Sequence, residues 1–172
     1  MSAAAGAIVL LLVPTLRDAW RRSNERAARE MTMEEARETN ALITFVAERG
    51  SARAFRFQGS PAARQQAAEC LATAAVYEAG DDERGQKAVM QVILNRLARP
   101  GYPKTVCGVV YQGASRTTGC QFSFSCDGSQ VRRPERAGWS TARTAARRAL
   151  SGRVFAPVGA ATHYQADGVV PY

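Results

Sequence analysis

The run Ala68-Glu69-Cys70-Leu71-Ala72-Thr73-Ala74-Ala75-Val76-Tyr77-Glu78-Ala79-Gly80 sets a carboxylate just ahead of a glycine. Leu71, Ala74, Ala75 and Glu78 recur at helical spacing, which puts the acid on the stripe expected to pack inward. Burial and the negative end of a helix dipole both disfavour an ionised carboxylate, the condition under which a glutamate can serve as a general acid. An acid pointing to water from a frayed helix end is the competing reading. Second carboxylates nearby are Asp81, Asp82 and Glu83, with Asp127 far off in sequence. Asp81 and Asp82 read as helix caps and Asp127, beside Gly128, as a turn residue, so Glu78 stands without an obvious partner acid.

Cys70, Cys107, Cys120 and Cys126 form an even set whose spacing is unlike paired C-x-x-C zinc ligands. Two disulfides are expected, Cys120 with Cys126 around a short loop and Cys70 with Cys107, with a Cys107 to Cys120 link as a rival and buried thiols as the alternative. His163 is the sole histidine. One imidazole makes no zinc site, so neither metal nor other cofactor is expected, and a structural hydrogen bond is its simplest role.

The elements that would position these residues are mainly helical. The helix ending at Gly80 is followed by a second through Val89, Val92, Ile93 and Leu97, capped by Asp81 and Asp82 and stopped at Arg99-Pro100-Gly101-Tyr102-Pro103. Val106 to Gln112 is short and apolar, open to helix or strand. Gln121 to Ser125 alternates in the period of a strand, with Phe122 and Phe124 on one face. A helix from Trp139 to Leu150, ended by Gly152, precedes an extended tail from Val154 to Tyr172. The fold class expected is α+β, mainly helical with a small antiparallel β element.

At 172 residues and 46% hydrophobic content, the chain has room for one globular domain and an extension. Residues 1–16 carry no charged side chain and include the apolar run Ala7 to Val13, which reads as a signal-like or membrane-anchor segment. Residues 17–61 read as a charged helical linker with a small apolar group at Leu42, Ile43, Phe45 and Val46 and a break at Gly59-Ser60-Pro61. Residues 62–172 hold the informative motifs. The net charge of +8 suits a polyanionic partner. Scattered basic positions without aromatic interleaving argue against specific nucleic-acid binding.

Tyr77-Glu78-Ala79, Gly85-Gln86, Val92-Ile93-Leu94-Asn95-Arg96, Val106-Cys107-Gly108-Val109-Val110-Tyr111, Cys120-Gln121-Phe122-Ser123 and Ala161-Thr162-His163-Tyr164 follow one another in an order that resembles the SleB-type cell wall hydrolases. The resemblance spans roughly Glu69 to Tyr172. It implies a lysozyme-like domain that cuts the peptidoglycan glycan strand between N-acetylmuramic acid and N-acetylglucosamine, as a muramidase or a lytic transglycosylase, with Glu78 matching the catalytic glutamate. Gln121, Ser123, His163 and Tyr164 are then candidates to hydrogen-bond sugar groups, and Tyr111 or Phe122 to stack on a ring, with core packing the rival role for Phe122. The chain reads Glu78-Ala79-Gly80-Asp81-Asp82 where members usually read Glu-Ala-Arg-Gly-Glu, and it stops at Pro171-Tyr172 where family domains usually continue. A domain shortened at its C-terminus is therefore one expectation, and a catalytically inactive wall-binding module is the second reading. The expected partner is peptidoglycan. The expected location is the periplasm or cell envelope if residues 1–16 direct export or anchor the chain to a membrane. Delivery by a particle, as one component of a larger assembly, is the other route.

Overall fold

A computed structural model describes residues 32–42, 50–117, 119–131 and 138–164. The chain divides into two compact units, which are described separately. In the first, helix α1 (Met33–Ala41) starts at a capping box in which Thr32 and Glu35 satisfy each other's backbone amides. This helix falls inside the expected charged linker, and Leu42 just beyond it is exposed. The signal-like residues 1–16, and Ile43, Phe45 and Val46 of the apolar group, lie outside the described residues. Among the described residues no helix is long and apolar enough to cross a membrane.

The second unit is built around α2 (Pro61–Ala79). Ser60 caps it by accepting from the Ala63 amide, and Pro61 supplies the preset first helical residue, so the Gly-Ser-Pro break is a helix start. Helix α3 (Glu83–Leu97), helix α4 (Val106–Val110) and helix α5 (Trp139–Ala149) all pack on α2. The centre of α2 is buried around most of its circumference: Ala67, Ala68, Leu71, Ala72, Ala74, Ala75 and Val76 all belong to the core. Small side chains let three helices approach one central helix closely. Met90 and Ile93 from α3, Val109 and Val110 from α4, and Ala142, Ala146 and Leu150 from the α5 segment fill the space between them.

Segments outside the helices are tied in by specific contacts. Phe55 and Phe57 pack on the core, and the Phe57 amide donates to the Leu150 carbonyl at 3.0 Å beside an isolated antiparallel bridge between Arg56 and Ser151. The Arg143 Nε atom donates to both carboxylate oxygens of Glu69 at 3.0 and 3.1 Å, linking α5 to α2. The disulfides are Cys70–Cys107 and Cys120–Cys126. They match the expected pairing.

The small β element is a correction. Among the described residues the Arg56–Ser151 bridge is all that resembles strand pairing, and Gln121 to Ser125 forms no strand. Ser123–Ser125 is a 3₁₀ turn, with the Ser125 amide and hydroxyl both donating to the Phe122 carbonyl. The disulfide supplies the physical reason. Six residues of extended chain would separate Cys120 from Cys126 by roughly 20 Å, whereas their Cα atoms are 6.3 Å apart. Phe122 and Phe124 still both reach the core, now from a coiled loop.

Candidate active site

Glu78 sits in the last turn of α2, one residue before the helix ends at Ala79. Leu71, Ala74 and Ala75 on its stripe are buried, but Glu78 itself is exposed, which corrects the expectation of an inward-facing acid. The stripe leaves the core at the end of the helix, so its final member emerges at the rim. Gly80 closes the helix with a φ of 55°, and its carbonyl accepts at 2.6 Å from Nε2 of the buried Gln86 on α3. The same amide nitrogen reaches the Gly138 carbonyl at 3.3 Å. Gln86 therefore clamps the turn after Glu78 to the start of α5. A side chain at Gly138 would strike the Gly80 carbonyl at 2.6 Å, so the close approach requires glycine.

Asp82 is the N-cap of α3, with Oδ1 accepting from the Arg84 amide at 2.9 Å. Asp127 accepts from the Ser129 amide at 2.7 Å in a turn. Glu83 is paired with Lys87 one helical turn on, which lowers its pKa through the hydrogen bond and the ammonium charge. The cap and turn roles expected of Asp82 and Asp127 are those the structure gives them.

Across from Glu78, Tyr164 donates its phenol hydroxyl to Glu78 Oε2 at 2.9 Å. Burial, then the negative charge and hydrogen bond of Glu78, push the Tyr164 phenol far above its ordinary range, with Arg96 opposing. Tyr164 thus remains a proton donor to the carboxylate at any ordinary pH.

A row of polar side chains on α3 brings Tyr164 there. Gln91 Oε1 accepts from the Phe155 amide at 3.0 Å. One turn later Asn95 Nδ2 donates to the carbonyls of Gly159 and Ala161 at 2.9 and 2.8 Å, while its Oδ1 accepts from Gln91 Nε2 at 3.0 Å. Arg96 Nε then donates to the Thr162 carbonyl at 2.7 Å. These bonds fix the tail carbonyl by carbonyl, two residues short of Tyr164.

Arg96 is itself unusual. It is 3% exposed, with its guanidinium 5.7 Å from the Tyr102 ring centroid and 5.6 Å from that of Phe122. Burial lowers its pKa, while Tyr102, Tyr164 and Glu78 act to raise it, and an arginine under these influences stays charged at neutral pH. Its positive charge therefore acts electrostatically on the Glu78 and Tyr164 pair.

The remaining candidates spread out. His163 is exposed, 3.0 Å from the Thr162 hydroxyl and 3.5 Å from that of Tyr102. Phe122 is 2% exposed and lies in the core, so the expectation of sugar stacking there gives way to packing under Arg96. Tyr111 is half-buried, edge-on to Phe124, which stacks on Tyr77 at 4.4 Å. Its phenol is pushed up by burial and by Tyr77. Ser123 is exposed on the disulfide loop, and the Gln121 backbone amide donates to the Gln112 carbonyl at 2.9 Å. Among the described residues neither side chain bonds to Glu78 or Tyr164. Gln86, Asn95 and Arg96 stand in the ordered sequence motifs without a site role of their own, and Gln91 stands outside them. Their signal was polar side chains recurring at helical spacing beside the apolar stripe of α3.

A family model described as Cell Wall Hydrolase matches residues 80–172, beginning two positions beyond Glu78. No curated protein and no solved structure match the chain.

Proposed function

The chain belongs to the Cell Wall Hydrolase family, and from that membership we propose that it cleaves the peptidoglycan glycan strand between N-acetylmuramic acid and N-acetylglucosamine, with Glu78 as acid and then base. It is a cell wall hydrolase enzyme, with peptidoglycan as its substrate and the cell envelope as its place of action. The observation that carries the finer reading is the Tyr164 hydrogen bond to Glu78 Oε2, because it orients a carboxylate at the open end of a helix.

Protonated Glu78 would give its proton to the glycosidic oxygen as the bond from that oxygen to C1 breaks. The leaving sugar departs as an alcohol, and positive charge develops on the ring that remains. In a lytic transglycosylase the 6-hydroxyl of the same muramic acid residue then attacks C1, and its proton returns to Glu78. The products are a 1,6-anhydro end and a restored acid, with no water consumed. A muramidase would deliver water to C1 instead. The occupation of Asp82 by a helix cap and of Asp127 by a turn favours the route that uses one carboxylate.

Digestion of purified sacculi by the wild type and by Glu78→Gln, with mass analysis of the products, tests this reading. Release by the wild type alone is expected, with anhydromuramic ends. Reducing ends would assign a muramidase. Equal release by both proteins would remove Glu78 from the mechanism, and no release by either would favour a wall-binding module.

A further inference from the structure

A second concave region, which the glycan chemistry does not use, runs from the first turn of α3 at Glu83 to the segment after α5. A cavity of about 520 Å³ opens between α3, α5 and the segment after α5. Met90, Ala149 and Phe155 contribute apolar surface to it, while Arg148 and Arg153 stand at its edge together with the Thr144 hydroxyl. A shallower depression continues from it past Arg147 and Ser151 and shares Thr144, Arg148 and Arg153. Arg64, in the first turns of α2, donates to the Ser151 hydroxyl, which fixes this region beside the start of that helix. Arg64 precedes Glu78 by fourteen residues, or roughly 20 Å along the axis, so the end of the region at Ser151 and Arg153 is remote from the acid, whereas its other end at Glu83 lies near the turn that follows it.

The charge here is mainly positive. Among the described residues no carboxylate forms an ion pair with Arg147, Arg148 or Arg153, and the one acid on the cavity wall, Glu83, is paired with Lys87 and also feels the charge of Arg148. Unpaired guanidiniums at the edge of an apolar floor fit a ligand with small apolar groups along its body and carboxylates along or at the end of it. Nucleic acid would favour a track of cations with aromatic platforms for bases, and the floor here is largely aliphatic. We infer that this cavity is a binding site for a short acidic peptide rich in methyl side chains. Resting on the function proposed above, the ligand is the peptide stem of peptidoglycan. A stem captured there hangs from a sugar distant from the cleavage point or from a neighbouring strand.

The test is a titration of the ¹⁵N-labelled full chain with the peptide Ala-Glu-Ala-Ala, as the free acid and as the C-terminal amide. The free acid is expected to shift the amide signals of Thr144, Arg148, Arg153 and Phe155 and to leave that of Glu78 in place. The amide, and separately the R148A/R153A variant, are expected to weaken binding at least tenfold. Both arginines are exposed, and the charge-keeping R148K/R153K variant controls for any loss of fold and is expected to retain part of the binding. Equal binding of acid and amide, shifts confined to other residues, or no binding by the wild type would overturn the proposal. Tighter binding of a single-stranded oligonucleotide than of the peptide at the same salt would also overturn it. The titration involves no turnover, so its failure would leave the glycan-cleaving reading of Glu78 intact, and inactivity toward sacculi would leave a positive titration intact.

Discussion

Tyr164 and Glu78 stand 86 residues apart in sequence, yet the phenol hydroxyl of the first donates to Oε2 of the second at 2.9 Å. A hydrogen bond to an ionised group contributes about 1.5–3 kcal/mol. Tyr164→Phe is therefore expected to lower the rate of muropeptide release roughly ten- to a hundredfold. Losing a bond of that size also lowers the melting temperature, so release is compared well below both midpoints. Full activity in this variant would show that the bond does not orient the acid during turnover.

Asn95→Ala is expected to act at a distance. It strips partners from the Gly159 and Ala161 carbonyls and from Gln91. Leaving such groups unpaired costs about 1–3 kcal/mol, read as a lower urea midpoint at constant slope. Hydrogen exchange should accelerate from Ala161 to Tyr164. Activity should fall in parallel, because the loosened stretch carries the partner of Glu78.

The two disulfides should contribute unequally. Cys70–Cys107 spans 37 residues and Cys120–Cys126 spans 6. Loop-closure entropy then assigns about 4 kcal/mol to the first and about 2 kcal/mol to the second. Denaturation of C70A/C107A and C120A/C126A measures both. Reversal of that order would point to native-state contacts rather than the unfolded chain as the source of stability.

Alkaline pH should weaken the fold. Tyr164 and Tyr111 both hold their protons more tightly than the ordinary tyrosine value of 10.0. The folded state thus binds more protons than the unfolded chain once pH exceeds that value. The stability is fully present below pH 10.0 and is lost as pH rises above it toward the folded-state values. Melting temperatures should be level just below that point and fall beyond it, and Tyr164→Phe should flatten the fall. An identical decline in the variant would assign the effect to other groups.

Most of the helices were legible because they carry their own local signals, whereas Val106 to Gln112 was open to helix or strand. Ser60-Pro61 and Gly80 bracket α2, Asp82 opens α3, and the Cys120–Cys126 pairing follows from closeness in sequence. Alternation misled at Gln121 to Ser125, where a covalent loop overrode a periodicity that would suit a strand. Glu78 was legible as an acid near a helix end, but its exposure was not, since a stripe says nothing of where the core stops. Asn95 and Arg96 were visible only as members of a motif, and Gln91 not at all, because the partners of this polar row are backbone carbonyls and, for Gln91, a backbone amide far along the chain. Backbone partners leave no trace in residue identity.

The strapping of the tail to α3 also sets an order of events during synthesis. Helices α2 and α3 emerge and can pack early, whereas Tyr164 follows their residues by a long interval, and domains fold as their segments become available. A nascent chain therefore displays Glu78 without its phenolic partner. The bond that orients the carboxylate arises only after translation has passed residue 164, so a ribosome-bound or interrupted product carries the acid unoriented.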